Sequence, residues 1–122
     1  MREAAAAGRR RWRHYETPSG RRPTKEFIDG LTVEDRASVL AAMAEVRDVG
    51  LAQARHLHGD VYEVRAPGVG VAYRILFAKE GDRGRILLAL HAFSKKSQKT
   101  PATSLELAQR RLRDWHQRAG YG

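Results

Sequence analysis

Val61-Tyr62-Glu63-Val64-Arg65-Ala66 is followed first by Val71-Ala72-Tyr73-Arg74-Ile75-Leu76-Phe77-Ala78 and then by Arg85-Ile86-Leu87-Leu88-Ala89-Leu90-His91-Ala92-Phe93. All three stretches are rich in branched and aromatic residues. They are separated by Pro67-Gly68-Val69-Gly70 and by Gly81-Asp82-Arg83-Gly84, connections of ordinary hairpin length. Three consecutive strands joined in this way form an antiparallel meander. Regular alternation places Glu63 and Arg65 on one face of the first strand, and Ala72, Arg74 and Leu76 on one face of the second.

Upstream of the meander the period changes. Residues 11 to 17 read as a first strand with Trp12, His14 and Glu16 on one face and Arg13 and Tyr15 on the other, punctuated by Pro18-Ser19-Gly20. Thr24 is placed to cap a short helix through Lys25-Glu26-Phe27-Ile28-Asp29, which Gly30 ends. Thr32 is placed to cap a second helix, with Glu34 and Asp35 in its first turn, where carboxylates favour the positive end of the helix dipole. Val33, Ala37, Leu40, Met43 and Ala44 recur at helical spacing as its apolar stripe, and the helix is expected to stop at Gly50. The segment before Val61 reads as irregular. Downstream, Thr100 and Pro101 suit the cap and first position of a last helix, with Leu105, Ala108, Leu112 and Trp115 on its buried face and Arg110, Arg111 and Arg113 toward solvent. The expected class is α+β, in the order β-α-α-β-β-β-α, with the helix pair packed on the sheet.

A chain of 122 residues supports one core, so a single domain is expected over residues 11–120, preceded by a basic leader over residues 1–10. There is no cysteine, which excludes a disulfide framework, a thiolate zinc site and a cysteine nucleophile. No apolar run reaches the roughly 20 residues that span a bilayer, and residues 1–13 contain no apolar core of a secretory signal. The expected location is the cytoplasm. Net charge is +9 and is concentrated at the two ends. Residues 1–22 carry seven arginines against two glutamates, residues 94–122 seven basic residues against two acids, and residues 23–93 nine basic against ten acidic. A near-neutral centre between cationic ends is the footprint of a polyanion partner, most simply nucleic acid.

Candidate chemistry concentrates in Leu90-His91-Ala92-Phe93-Ser94-Lys95-Lys96-Ser97-Gln98-Lys99-Thr100-Pro101, where a strand runs into a cationic loop and then a helix start. His91 can exchange a proton near neutral pH, and Lys95, Lys96 and Lys99 can stabilise anionic oxygens. An arginine inside an apolar strand is expensive to bury unpaired, so Arg74 needs a partner, either a carboxylate such as Glu63 or an external phosphate that Arg65 would share. His56-x-His58 puts two imidazoles at alternate positions without a carboxylate or thiolate beside them, so no metal site and no cofactor is assigned. Tyr62, Tyr73 and Phe93 can either stack on bases or pack in the core.

Several of these segments, taken in order, resemble one family. Tyr15-Glu16-Thr17-Pro18-Ser19-Gly20 followed by Pro23-x-x-Glu26-Phe27-Ile28-x-x-Leu31 is similar to the opening of the phage-derived HigB-like toxins of the RelE/ParE superfamily. Val61-Tyr62-Glu63-Val64-Arg65 resembles their L-Y-E-L-R strand, and Tyr73-Arg74-Ile75-Leu76-Phe77 their Y-R-x-x-Y/F strand. His91-Ala92-Phe93-x-Lys95-Lys96-x-Gln98-Lys99-Thr100-Pro101 matches H-x-F-x-K-K-x-Q-K-T-P, and a helix of the E-x-A-x-x-R type follows in Glu106, Ala108 and Arg111. The resemblance spans about residues 12 to 116.

The resemblance implies a RelE-like βααβββα domain with a concave sheet, acting as the toxin of a type II toxin–antitoxin system. It implies a metal-independent, ribosome-dependent endonuclease of messenger RNA, in which a ribose 2′-hydroxyl attacks the adjacent phosphate. Carried over by motif, Arg65 and Arg74 hold the phosphate, His91 moves the proton and Lys96 adds charge, while Lys95, Lys99, Arg110, Arg111 and Arg113 grip RNA or ribosome. A lysine or Glu63 could replace His91 as the base. The implied partner is a HigA-like antitoxin with a helix-turn-helix domain. Two alternatives stay open, a ParE-like inhibitor of DNA gyrase and a non-catalytic nucleic-acid-binding module.

Overall fold

The computed structural model describes residues 10–119, so the basic leader apart from Arg10 lies outside the described residues. Its elements are β1 (Arg11–His14), α1 (Pro23–Asp29), α2 (Val33–Asp48), β2 (Arg55–His58), β3 (Val61–Pro67), β4 (Ala72–Glu80), β5 (Ile86–Lys95) and α3 (Ala102–Arg118). The strands form one sheet in the order β1-β5-β4-β3-β2, in which β1 runs parallel to β5 and every other pairing is antiparallel. The expected meander is therefore the centre of the sheet. The segment read as irregular supplies β2, an additional edge strand. The first strand ends at His14, although Tyr15 N–H still donates to Ala89 O at 2.9 Å.

Helices cover both faces. On one side α1 and α2 enclose Val64, Ile75, Phe77, Leu87 and Ala89 with Val39, Met43 and Val46. On the other, Ala108 and Leu112 of α3 close over Val61, Leu76, Ala78, Leu88 and Leu90, with Leu105 and Trp115 partly buried beside them. β1 alternates as its sequence requires. Trp12 packs edge-on against Phe77 on the first side, while Arg13 lies over the Trp115 ring and Tyr15 donates to Asp114 Oδ2 at 2.5 Å on the second.

The apolar stripe of α2 is corrected by the structure. Met43 is buried, but Val33 is 68% and Leu40 51% exposed, and the core is met by Val39 and Val46 instead. Apolar residues run almost all round this helix, so helical spacing fits two nearly opposite faces. Packing selects the face with bulkier side chains over the alanine-rich one. Two caps also differ. Helix α1 begins at Pro23, so Thr24 lies inside its first turn and its hydroxyl finds no partner among the described residues. Thr32 does cap α2, accepting from Asp35 N–H at 3.2 Å.

Two irregularities in the sheet decide where side chains point. In β5 the register passes from Leu76↔His91 to Phe77↔Ala89, so Leu90 is an extra residue and both Leu90 and His91 reach the α3 side. In β2 the register shifts between His56 and His58. His56 packs at a tilt against Tyr62, ring centroids 5.1 Å apart, on the face away from α3, whereas His58 borders the space beside Val61 and Leu112. The bulge therefore separates two imidazoles that regular alternation would have aligned. One glycine is fixed by contact, because a Cβ on Gly68 would sit 2.4 Å from the Tyr73 ring.

Candidate functional site

Pairing aligns the polar side chains of the α3 face in rows across the sheet. Arg55, Glu63, Leu76 and His91 form one row, and Arg65, Arg74 and Phe93 the next. Arginines directly opposite one another repel. The carboxylate of Glu63, 1% exposed, lies among them and is the only acidic group in these rows. Its Oε1 accepts from Arg65 Nε at 2.8 Å and its Oε2 from the Thr100 hydroxyl at 2.5 Å.

The two arginines continue from that carboxylate into the lysine-bearing loop. Arg65 Nη1 donates to Gln98 Oε1 at 2.8 Å and Nη2 to the Gln98 carbonyl at 2.6 Å. Arg74 Nη2 donates to the Ser97 carbonyl, and Nη1 reaches Thr100 Oγ1 at 3.5 Å. Thr100 thus accepts from Arg74 while donating to Glu63. This explains why it does not cap α3, whose N-cap is Pro101 without a side-chain bond. A hydrogen bond to a buried carboxylate is roughly twice as strong as a neutral one, and the hydroxyl goes there.

Arg74 is completely buried. Burial, followed by repulsion from Arg65, lowers its pKa, and Glu63 acts in the opposite sense. Of the two partners considered for it in the sequence, the structure provides internal ones: two loop acceptors and the field of Glu63. Arg65 stays partly open, its side chain 27% exposed. Lys96 and Lys99 are exposed and Lys95 is half-buried, and none of the three makes a hydrogen bond or ion pair among the described residues. The loop is thus fastened from below by Arg65, Arg74 and Glu63 and presents its ammonium groups outward.

His91 occupies a different part of the same face. It stacks on Phe93 at 5.0 Å and makes no hydrogen bond to Arg65, Arg74 or the lysines. Burial, helped by the charge of Arg111, pushes its pKa down to about 4, so it is neutral at physiological pH. Arg111 does not face solvent as its helix pattern suggested. Its Nη1 donates to the Leu90 carbonyl at 2.7 Å and its guanidinium lies 5.7 Å over the Tyr15 ring. The bulge explains this, because the interrupted ladder at Leu90 leaves a carbonyl for a side chain to satisfy. Arg110 and Arg113 are exposed.

Among the aromatics, Tyr73 is buried and donates to Asp35 Oδ2 at 2.5 Å, and Tyr62 stacks on Phe77 at 5.6 Å on the face away from α3. Of the three aromatics considered for base stacking, Tyr62, Tyr73 and Phe93, it is Phe93 that lies on the site's face. Arg55 is a cation that pattern reading passed over. The signal for it was Gly59-Asp60, a two-residue hairpin loop that pairs Arg55–His58 with β3 and sets Arg55 opposite Glu63.

Comparison with known proteins agrees with these features. The family described as Phage derived protein Gp49-like (DUF891) matches residues 26–113, a span that contains Glu63, Arg65, Arg74, His91 and the lysine loop. Two curated proteins of Mycobacterium tuberculosis, from strains CDC 1551 / Oshkosh and ATCC 25618 / H37Rv, are each named "Probable endoribonuclease HigB1". Each is 32% identical to this chain over 112 residues, covering 89% of this chain and 87% of the relative. With a family model that matches residues 26–113 and relatives 32% identical over 89% of its length, the chain belongs to the Gp49-like, HigB-like family of phage-derived toxins.

Proposed function

We propose that this chain, as one domain over residues 11–120, is the toxin of a type II toxin–antitoxin module and an endonuclease of messenger RNA on the translating ribosome, working without a metal. The observation that carries this reading is the fastened loop. Arg55, Arg65 and Arg74 gather about the buried carboxylate of Glu63, and the loop that Arg65 and Arg74 hold carries Lys95, Lys96 and Lys99, which make no hydrogen bond or ion pair among the described residues. Such a surplus of oriented positive charge suits a polyanion and the extra charge of a phosphorane. The names of the mycobacterial relatives support ribonuclease chemistry, and membership of a toxin family supports an antitoxin partner, here proposed to be HigA-like with a helix-turn-helix domain.

In the proposed reaction His91, neutral at physiological pH, accepts the 2′-hydroxyl proton as O2′ attacks phosphorus. Lys96 and the open side of Arg65 stabilise the phosphorane. The bond to the 5′-oxygen breaks, a lysine ammonium protonates that oxygen, and a 2′,3′-cyclic phosphate remains. Glu63 is committed to Arg65 and Thr100, which argues against it as the base. Arg74, buried behind the loop, acts as a positioning residue, while Lys95, Lys99, Arg110 and Arg113 contact RNA or ribosome. Arg111 serves the bulge and His91 more directly than it serves RNA.

Mapping new RNA 5′ ends after brief induction in bacterial cells tests this reading. Cuts within translated regions that vanish in His91→Ala and Lys96→Ala are the expected result. Arg74→Ala is a poor inactive control, since it removes a buried anchor. Growth arrest without new 5′ ends would overturn the nuclease and favour a gyrase inhibitor.

A further inference from the structure

Beside the fastened loop lies a pocket of about 220 Å³ between β2, β3 and the start of α3. Arg55, Arg65 and Lys99 line its charged side, Leu57 and Leu105 its apolar side, and the Gln98 side chain borders it. No carboxylate is among the lining residues, and Glu63 beneath is already engaged by Arg65 and Thr100. Arg55 and Lys99 are exposed and make no hydrogen bond or ion pair among the described residues. The space is smaller than a typical drug-sized site, yet holds the volume of about seven waters, enough for a phosphate and part of its sugar. Two free cations, a guanidinium fork held edge-on by Gln98 and an apolar wall fit that group better than a carboxylate alone.

The pocket is separate from the ground occupied by His91. Arg55 and His91 stand at opposite ends of one cross-strand row, three strand spacings or roughly 14 Å apart. Helix α3 lies between them, with Leu105 walling the pocket and Arg111 acting on His91. One phosphate group does not bridge that span.

We infer that Arg55 and Lys99 form a subsite for a non-scissile phosphate and its ribose in single-stranded RNA, next to the scissile phosphate that Arg65 faces, one that sets the register of the strand across the sheet. This rests on the nuclease reading above and extends it to a second point of contact. Arg55 supplies affinity and register there, and the chemical step takes place elsewhere.

The test is fluorescence anisotropy with a short 2′-O-methyl RNA, which cannot be cleaved, titrated over a salt series with wild type, Arg55→Ala, Arg55→Lys and Arg55→Glu. Loss of one phosphate contact is expected to weaken binding severalfold in Arg55→Ala and to flatten the slope of log K against log salt by about 0.7. Arg55→Lys should keep the slope and Arg55→Glu should lose more affinity than Arg55→Ala. Thermal melting should be unchanged in Arg55→Ala and Arg55→Lys, because Arg55 is exposed and makes no hydrogen bond or ion pair among the described residues. Wild-type binding with an unaltered Arg55→Ala slope would overturn the subsite while leaving the nuclease standing. No binding by wild type would overturn the subsite as well, while the nuclease is judged separately by the mapping of RNA 5′ ends. Arg55-dependent capture of a glutamate-rich peptide in place of the RNA would assign the pocket to an acidic polypeptide and overturn the phosphate.

Discussion

The two faces of one sheet are built from the same strands and have opposite characters. Under α1 and α2, β3 and β4 offer Val64, Ile75 and Phe77 to an apolar core. Under α3, the intervening positions begin with Val61, Leu76 and Ala78 and change within a residue pair to Glu63, Arg65 and Arg74. The first face is held chiefly by burial, at about 25 cal/mol per Å², with the hydrogen bonds of Trp12 to the Met43 carbonyl and of Tyr73 to Asp35 at its margins. The second is half core and half an ionic clasp, whose net surplus of positive charge is tolerated because every buried carboxylate oxygen and most guanidinium donors have partners. The difference explains how a small toxin keeps a rigid sheet and still presents a charged loop, with alternation along each strand assigning one face to stability and the other to both tasks.

Substitutions that remove buried material from either face should have the largest effects, and their rescue should differ. Phe77→Ala is expected to cost about 3–5 kcal/mol through lost burial and a cavity. Glu63→Ala should cost a similar ~3–5 kcal/mol for a different reason, because Arg74 would remain buried without a carboxylate. Urea denaturation checks both. The double substitution Glu63→Leu/Arg74→Met should recover much of the second loss, since an apolar pair can replace a buried ionic one, yet should release the loop. If the double variant is as unstable as Glu63→Ala, the clasp is a packing element and the contrast between the faces fails.

How much of this could be read from the sequence follows the same division. The apolar periods of β3, β4 and β5 are local and gave the meander directly, and the loop motif between His91 and Pro101 pointed to the charged region. What escaped depended on long-range pairing. The strand at Arg55–His58 is too short to show a period, and only its pairing with β3 makes it part of the sheet. Whether Val33 and Leu40 or Val39 and Val46 would face inward depended on the sheet that α2 meets. Thr100 carries the local signature of a helix cap, and only a carboxylate 37 residues earlier draws its hydroxyl away. Arg111 looked solvent-facing until a bulge in another element supplied a carbonyl for it.

A smaller effect should sharpen the view of the clasp as a network. Thr100→Val keeps the shape of the side chain and removes one donor and one acceptor at once, for an expected loss of about 1–3 kcal/mol. Combined with Glu63→Ala it should add far less than its single effect, because the bond to Glu63 is already gone. A double-mutant cycle by urea denaturation measures this, and strict additivity would show that Thr100 acts independently of Glu63.

The subtlest prediction concerns His91, where the α3 face is neither core nor clasp. Burial and Arg111 hold this imidazole at about 4 when folded, against an ordinary value of 6.5. At pH 7 it is neutral in the folded state and mostly neutral in the unfolded one, so it contributes little to pH dependence there. As pH falls below 6.5 the unfolded chain takes up the proton first, so the folded state loses stability until about pH 4, below which both states are protonated and the loss levels off. Allowing for solvent screening at a partly exposed ring, the loss should be on the order of 1–2 kcal/mol. His14, also depressed by burial and by Lys25 and Arg22, contributes in the same direction, so the comparison must be with His91→Gln and not with theory. Urea denaturation at pH 7 and pH 4.5 should show wild type losing more stability than His91→Gln. Cleavage by wild type, if His91 is the base, should show no ascending limb near pH 6.5 and one near pH 4 instead. An activity limb near 6.5 that disappears in His91→Gln would mean that the ring is solvated in the working enzyme, and that the α3 face opens around it when RNA binds.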